Sequence, residues 1–567
     1  MTDLIFSAAL EILAGLGILL LGMHFMSEGL QTMAGAGLRK LIATFTSNRF
    51  MGIGVGALIT AIIQSSSITT VMVVGFINSG FMNLTQAVGV IMGANVGTTM
   101  TGWLMTLNIG KSGLLVTGIA AFFFTFSKKE KIKYAALAAL GFGLIFMGLE
   151  IMKEGIEPIS KIPEFIAWFH KFNADTYSGI LKNIAVGCIL TMIVQSSSVT
   201  VGITIALATQ GLVTFESAAA LVLGENIGST ITAQIASIGS NVNARRAAFF
   251  HTFFAIFGVG WVSLIFNVFL FVVEWIAATF FGIPELRASV MRNGVEVFPH
   301  LATAIATTHT LFNIINLIAL LPFANLLVKF LERFVKEKSQ KPQKNVLQYE
   351  LGDQLLDSPI AAIQQTAFVL RRTTKDLSSM MDDLRTALLE PKSRVSIGKN
   401  VFDTEERMDS IEEEITNYLT RLLGQRVPEY IARKAERQLR LVDDLESISD
   451  YATQILKLEL RLDGNNESFT EEQKDSMMEL HDLTASLIPK LRHYLRNEED
   501  GDLFRDISEH GQSVNTMVRE LRAANWEKKT QDEYSPLIST TFSDMLFAYR
   551  KIKNHIITAA EVHAGLR

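Results

Sequence analysis

Cysteine occurs once in these 567 residues, at Cys188 inside an apolar run. No intrachain disulfide is possible, and no metal cluster can rest on thiolates, so this residue reads as a small apolar filler. The larger absence is charge. From Phe50 through Gly110 there is no Asp, Glu, Lys or Arg, whereas Glu350 to Arg567 carries a charge every few residues. Apolar runs longer than about 18 residues span bilayers. The N-terminal half is therefore expected in the membrane and the C-terminal half in water, as helices. A net charge of −5 supplies no basic excess for a nucleic-acid partner, and none is expected. No nucleotide-binding loop, zinc spacing or nucleophile elbow stands out, which removes support for an ATP-driven pump, a membrane hydrolase or any other enzyme. The first apolar run opens with Met1-Thr2-Asp3 and meets no basic residue before Arg39. It lacks the positive leader of a secretory signal and reads as a retained helix.

What is present is an internal repeat. Gly56 to Gly102 aligns with Gly187 to Ala233 without a gap at an offset of 131, with 15 of 47 positions identical; chance gives roughly four, and such duplication is a transporter signature. Gln64-Ser65-Ser66-Ser67 recurs as Gln195-Ser196-Ser197-Ser198, Gly80 as Gly211, and Gly93-Ala94-Asn95-Val96-Gly97-Thr98-Thr99 as Gly224-Glu225-Asn226-Ile227-Gly228-Ser229-Thr230. Upstream, Gly22 with Glu28-Gly29 matches Gly148 with Glu154-Gly155 at an offset of 126.

The apolar stretch around the first motif, Met51 to Gly80, is too short for two spans of about 20 residues. It fits a re-entrant hairpin whose arms bring the motif near the middle of the bilayer; a tilted helix broken at the motif is the rival. Full spans are expected at Ile5 to Thr32, Thr85 to Leu107, Gly113 to Phe126, Tyr134 to Met152, Thr214 to Ile238, Ala247 to Phe281 and Leu301 to Val328. With both hairpins non-crossing, Arg39-Lys40 with Arg49, Lys128 to Lys133, Arg245-Arg246 and the stretch from Lys329 onward all fall on one face, which the positive-inside rule makes cytoplasmic. The N-terminus is then outside and the two copies are inverted, the alternating-access architecture. The expected fold is all-α. It comprises a polytopic membrane domain over 1–330, with repeats at about 5–126 and 134–281 and an extra span at 301–328, then a linker at 331–348 and a cytoplasmic helical bundle over 349–567.

Three successive serines point in different directions, so one helix-packing face cannot use them all. Together with Gln amides and the N–H groups of broken helix ends they form a neutral, donor-rich site suited to an oxyanion. Gln64 to Ser67 and Gln195 to Ser198 are the substrate candidates. Glycines around Asn95 and Asn226 suggest an unwound helix whose carbonyls, with Asn95, Thr98, Asn226 and Ser229, ligate a hard cation such as Na⁺ or extend the anion site. Close helix packing around glycine is the alternative. Thr69, Thr99, Thr200 and Thr230 join the cation candidates. Glu225, standing where the first copy has Ala94, is either a cation ligand or proton carrier or a carboxylate reaching an aqueous cavity. His251 and His309, in related His-Thr segments, read as hydrogen-bonded core residues.

Paired Gln-Ser-Ser-Ser motifs, each followed by Gly-x-Asn-x-Gly, resemble the sodium/phosphate cotransporter family, called type II in animals, over roughly residues 10 to 330. The resemblance implies that both motifs contribute to phosphate and sodium sites, with Na⁺ as coupling ion and inorganic phosphate as substrate. The alternatives are proton coupling, another small oxyanion, or a phosphate-sensing receptor that does not turn over. After the linker, amphipathic stretches interrupted near Pro391, Pro428, Asp463 to Asn466 and Glu498 to Asp502 read as two three-helix bundles. Glu436-Arg437 through Asp444-Leu445-Glu446 to Asp450, and Tyr549-Arg550 to Glu561, resemble the two halves of the PhoU fold. That resemblance implies a divalent-metal site with Glu446 and Asp450 as candidates, beside the plainer reading of a solvated acidic face. It further implies a bacterial inner-membrane protein, either a homodimer or one with a cytoplasmic regulatory partner.

Overall fold

A computed structural model describes residues 2–43, 49–78, 82–107, 112–159, 162, 173–238, 240–292, 295–336, 351, 355–356, 358–425, 427–496, 501–530 and 535–566, the side chains of 2–3, 35–43, 501 and 529–530 excepted. Gly80, most of the expected linker and the side chains of Arg39 and Lys40 lie outside that set. The chain divides into two units, Met1–Ser339 and Gln340–Arg567.

The first unit opens with α1 (Thr2–Ala43), α2 (Arg49–Ile63), α3 (Ser66–Asn78), α4 (Leu84–Gly97), α5 (Thr99–Thr106), α6 (Ser112–Phe126) and α7 (Glu130–Ile159). The second copy follows as α8 (Tyr177–Val194), α9 (Ser197–Thr209), α10 (Phe215–Gly228), α11 (Ile231–Ala236), α12 (Val242–Leu264) and α13 (Phe266–Phe281), and then α14 (Leu301–Leu320) and α15 (Ala324–Phe334). Five described segments are long and apolar enough to cross a membrane: Leu4–Ala34, Glu130–Ile159, Tyr177–Val194, Val242–Leu264 and Leu301–Phe334. The arms α2, α3 and α9 are 15, 13 and 13 residues, short of the roughly 20 a straight span needs.

Glycine sets how closely these helices approach. A Cβ on Gly15 would lie 2.7 Å from the Gly148 carbonyl, one on Gly22 2.8 Å from that of Gly141, and one on Gly29 2.7 Å from that of Tyr134. Rising numbers on α1 meet falling numbers on α7, so the two run antiparallel with backbones nearly touching. The repeat equates Gly15 with Gly141 and Gly22 with Gly148, so it exchanges one of these contacts into the other. The same exactness of copying holds within each unit. Gly93 and Gly97 press on the carbonyls of Ile53 and Ala57 across α2 and α4, and Gly224 and Gly228 press on those of Ile184 and Cys188 across α8 and α10.

Two of the expected spans differ. Ala247 to Phe281 is two helices meeting at Ile265, whose φ of −111° and ψ of 26° interrupt the ladder. The last span ends in a 3-10 turn at Leu321–Phe323, where Pro322 lacks the donor that a continuing helix needs; α15 begins after it. The loop before α14 contains a short antiparallel ladder, β1 (Val290–Arg292) on β2 (Val295–Val297), anchored where Phe298 N–H donates to Thr209 C=O at 2.8 Å.

The second unit is helical: α16 (Pro359–Leu389), α17 (Arg394–Leu423), α18 (Glu429–Gly464), α19 (Glu471–Ala485), α20 (Leu487–Tyr494), α21 (Gly501–Thr530) and α22 (Pro536–Ala564). The helices α16, α17 and α18 pack mutually, α19 to α22 form the second group, and α18 lies along α22. Arg394 closes the first turn between helices. Its Nε donates to Ala387 C=O at 2.8 Å, satisfying an orphan carbonyl of α16, while the guanidinium pairs with Glu459 at 3.0 Å.

Candidate functional site

Each Gln-Ser-Ser-Ser motif sits at a helix break. Gln64 and Gln195 have φ of 60° and 55°, a left-handed conformation that costs a residue with a Cβ about 1–2 kcal/mol. They terminate α2 and α8 by donating to Thr60 C=O at 2.6 Å and Thr191 C=O at 2.7 Å. The next serine restarts the chain. Ser65 Oγ accepts from Ile68 N–H at 3.2 Å, and Ser196 Oγ from Val199 N–H at 3.4 Å, which is N-capping. The arms are tied by one threonine pair in each copy, Thr60 to Thr69 at 2.9 Å and Thr191 to Thr200 at 3.0 Å.

The three candidate serines of each copy thus part company. Ser65 and Ser196 are caps, whereas the hydroxyls of Ser66, Ser67, Ser197 and Ser198 make no hydrogen bond among the described residues. They lie in the first turns of α3 and α9, where unpaired backbone N–H groups and the helix dipole favour an anion. The two Gln residues also differ. Gln64 is 6% exposed, accepts from Thr101 Oγ1 at 2.9 Å and donates to Ala61 C=O; Gln195 is exposed. Thr101 was legible only as a residue shared with Thr232 in the repeat.

The second motif is not unwound. Thr98 has φ −63° and ψ −22°, and Ser229 has φ −62° and ψ −21°, helical values that leave the carbonyls directed along the helix. The reason is packing: the motif glycines are occupied in the approach of α4 to α2 and of α10 to α8. Asn95 and Asn226 donate to carbonyls one turn back, Ile91 at 3.2 Å and Val222 at 2.8 Å. Their Oδ1 atoms meet residues outside the ungapped alignment, His251 Nε2 at 3.2 Å and Asn313 Nδ2 at 3.2 Å. Asn313 was missed, since a partner across 87 residues leaves no local pattern. Thr99 and Thr230 donate to their own helices at Val96 and Ile227, both at 2.8 Å. Ser229 Oγ likewise donates to Asn226 C=O at 3.0 Å, while the equivalent Thr98 hydroxyl is buried without a partner. Glu225 is fully buried, with neither carboxylate oxygen hydrogen-bonded among the described residues; His309 Nε2 lies 3.3 Å from its Oε1.

In the second unit the carboxylates of Glu405, Asp409 and Asp450 bring ligand atoms within 4.8 Å of one another. Glu446, one turn before Asp450, is held up to about 7 by partial burial and then by the charges of Asp450 and Asp409, the response of a carboxyl in a crowded acidic cluster. Asp450 therefore joins the cluster, and Glu405 with Asp409 extends it. Those two, also spaced one turn apart, become relevant only once α17 packs on α18.

Family comparisons agree with this anatomy. Residues 18–154 and 165–284 match the Na⁺/Pi-cotransporter family model, and residues 370–458 match the PhoU domain. The candidate inorganic phosphate export protein YjbB of Salmonella typhimurium is 24% identical over 442 residues, 78% of this chain and 76% of its own. The uncharacterised YqeW of Bacillus subtilis is 28% identical over 321 residues, 56% of this chain and 95% of its own. Sodium-dependent phosphate transport protein 2A of Ovis aries is 41% identical over 61 residues, 11% of this chain and 10% of its own. No solved structure matches. With the doubled motif and both domain matches on one polypeptide, the chain is similar over its membrane helices to the Na⁺/Pi-cotransporter family, a family of phosphate transporters and not of enzymes, and after them to the PhoU domain.

Proposed function

We propose that this protein moves inorganic phosphate across a bacterial inner membrane together with Na⁺ by alternating access. The observation that carries the reading is the pair of left-handed breaks at Gln64 and Gln195, each followed by free serine hydroxyls at a helix N-terminus, with one glutamine buried and the other exposed. Phosphate is bound by Gln64, Ser66, Ser67, Gln195, Ser197 and Ser198, with Ser65 and Ser196 shaping the turns; Asn95, Thr98, Asn226 and Ser229 border it. Na⁺ is taken by oxygens drawn from Thr69, Thr99, Thr200, Thr230 and Glu225. The antiparallel packing of the equivalent helices α1 and α7 supports inverted copies, with α2–α3 and α8–α9 as re-entrant hairpins, the N-terminus outside, and the PhoU domain cytoplasmic and regulatory. The acidic cluster offers carboxylate oxygens of the kind a hard divalent cation takes, with water completing its shell. Direction of net flux follows the gradients; the Salmonella relative is named for export and the sheep relative for sodium-dependent transport.

Proton coupling is the rival, favoured by the buried Glu225 carboxylate beside His309. The deciding measurement is phosphate flux by the full chain in proteoliposomes with Na⁺ replaced by choline. Na⁺ coupling predicts a fall of at least tenfold, and undiminished flux excludes it. Sustained flux also separates a transporter from a receptor that only binds.

A further inference from the structure

The helix α15 has three faces where a soluble surface helix has two. Ala324, Val328 and Leu331 are buried against the membrane unit. Leu326, Phe330 and Phe334, one turn apart, form an exposed apolar ridge continued by Phe323, with exposures of 66%, 41%, 72% and 58%. Asn325, Lys329, Glu332 and Arg333 occupy the remaining arc, followed by Lys336, and all are exposed. At about 100° per residue the three faces lie about 120° apart, and the charged arc borders the ridge on the side of Arg333 and Leu326. No carboxylate pairs with Lys329, Arg333 or Lys336 among the described residues.

Three observations identify what covers this ridge. It prolongs the lipid-facing side of α14, where Ile318 is 66% exposed, in a chain similar to a membrane-transporter family. Its free charges are cationic by three to one against Glu332. It is also held at a fixed attitude by two further cations: Arg49 Nη1 donates to Asn325 Oδ1 at 3.3 Å, and Arg246 donates to the carbonyls of Glu332 at 3.2 Å and Val335 at 3.1 Å. An apolar ridge beside a basic arc lies in the plane of an anionic bilayer surface.

We propose that α15 is an interfacial helix that binds anionic phospholipid headgroups through Lys329, Arg333 and Lys336 while Leu326, Phe330 and Phe334 enter the acyl layer. Because Arg49 opens α2 and Arg246 lies on α12, which carries His251, the lipid-bound helix is wired to both sides of the phosphate site. That functional consequence rests on the transport reading above; the lipid binding does not.

The test uses the full-length protein carrying Phe334→Trp, and separately Phe330→Trp, in vesicles of phosphatidylcholine with added phosphatidylglycerol. Brominated phosphatidylglycerol is expected to quench the added tryptophan more than brominated phosphatidylcholine at equal mole fraction. The preference should weaken about fivefold for each of Lys329→Gln, Arg333→Gln and Lys336→Gln, and again on adding salt. No quenching of either tryptophan overturns lipid burial, and equal quenching by both lipids overturns headgroup recognition. Relief of the preference by millimolar inorganic phosphate assigns the cations to a free anion and also overturns it. Phosphate flux in the same vesicles should rise with phosphatidylglycerol and lose that rise in the triple variant; absence of flux in every lipid defeats the transport reading and leaves the quenching result standing.

Discussion

Neighbouring serines of one motif have different work, and the difference is measurable. Ser65 caps α3, so Ser65→Ala should cost about 1 kcal/mol of stability with flux reduced only modestly. Ser66→Ala and Ser197→Ala remove hydroxyls that no described residue engages, so stability should hold while phosphate affinity falls about tenfold, the loss of one hydrogen bond to a charged group. Equal effects of the Ser65 and Ser66 changes on flux would defeat the distinction. Far from the membrane, His481 is 1% exposed, hydrogen-bonded to Tyr549 at 2.9 Å, and lowered by burial from 6.5 to about 4. The unfolded chain takes up this proton first, so the stability it contributes is present above pH 6.5 and is lost as pH falls through 4. The loss is on the order of 3 kcal/mol. Thermal melting between pH 4 and pH 7 should show that slope, and His481→Gln should flatten it.

At the scale of helices, the sequence announced the break at each Gln-Ser-Ser-Ser motif and the amphipathic bundle, because apolar run length and helical period are local properties. It misjudged Gly-x-Asn-x-Gly, since glycine serves an unwound turn and a close approach equally well, and only the opposing Ile53 and Ile184 carbonyls decide between them. Partners such as His251 for Asn95, or Glu405 for Asp450, depend on which helices pack together, information spread over 156 and 45 residues of chain. The packing also sets a sharp expectation for α1 and α7. Gly141→Val would drive its side chain into the Met26 backbone and should lower the melting temperature of the detergent-solubilised protein or abolish its expression, a cost of 1–3 kcal/mol or more. Gly17→Ala, with nothing within 4 Å, should leave melting unchanged; comparable losses in both would remove the packing argument.

For the molecule as a whole, division into Met1–Ser339 and Gln340–Arg567 predicts that deleting the second unit leaves a membrane protein that still binds phosphate. If the PhoU domain regulates, the truncated form should lose any dependence of flux on divalent cations while keeping its Na⁺ dependence. Retention of the cation response would place that response in the membrane unit. Charge density also changes abruptly along the sequence in this region. The attitude of α15 was not legible there, because an apolar ridge turned toward lipid and one turned toward protein have the same sequence pattern.

The glycine contacts between α1 and α7 reach further than the stability of one helix pair. Two backbones in near contact at Gly15, Gly22, Gly141 and Gly148 have few graded intermediate positions: they stay seated or they separate at large cost. Such a pair makes a stator. If the site opens to each side of the membrane in turn, the travelling parts are then the helix pairs α2–α3 and α8–α9. Hydrogen exchange during turnover should reveal them as the labile segments around a silent α1–α7 spine.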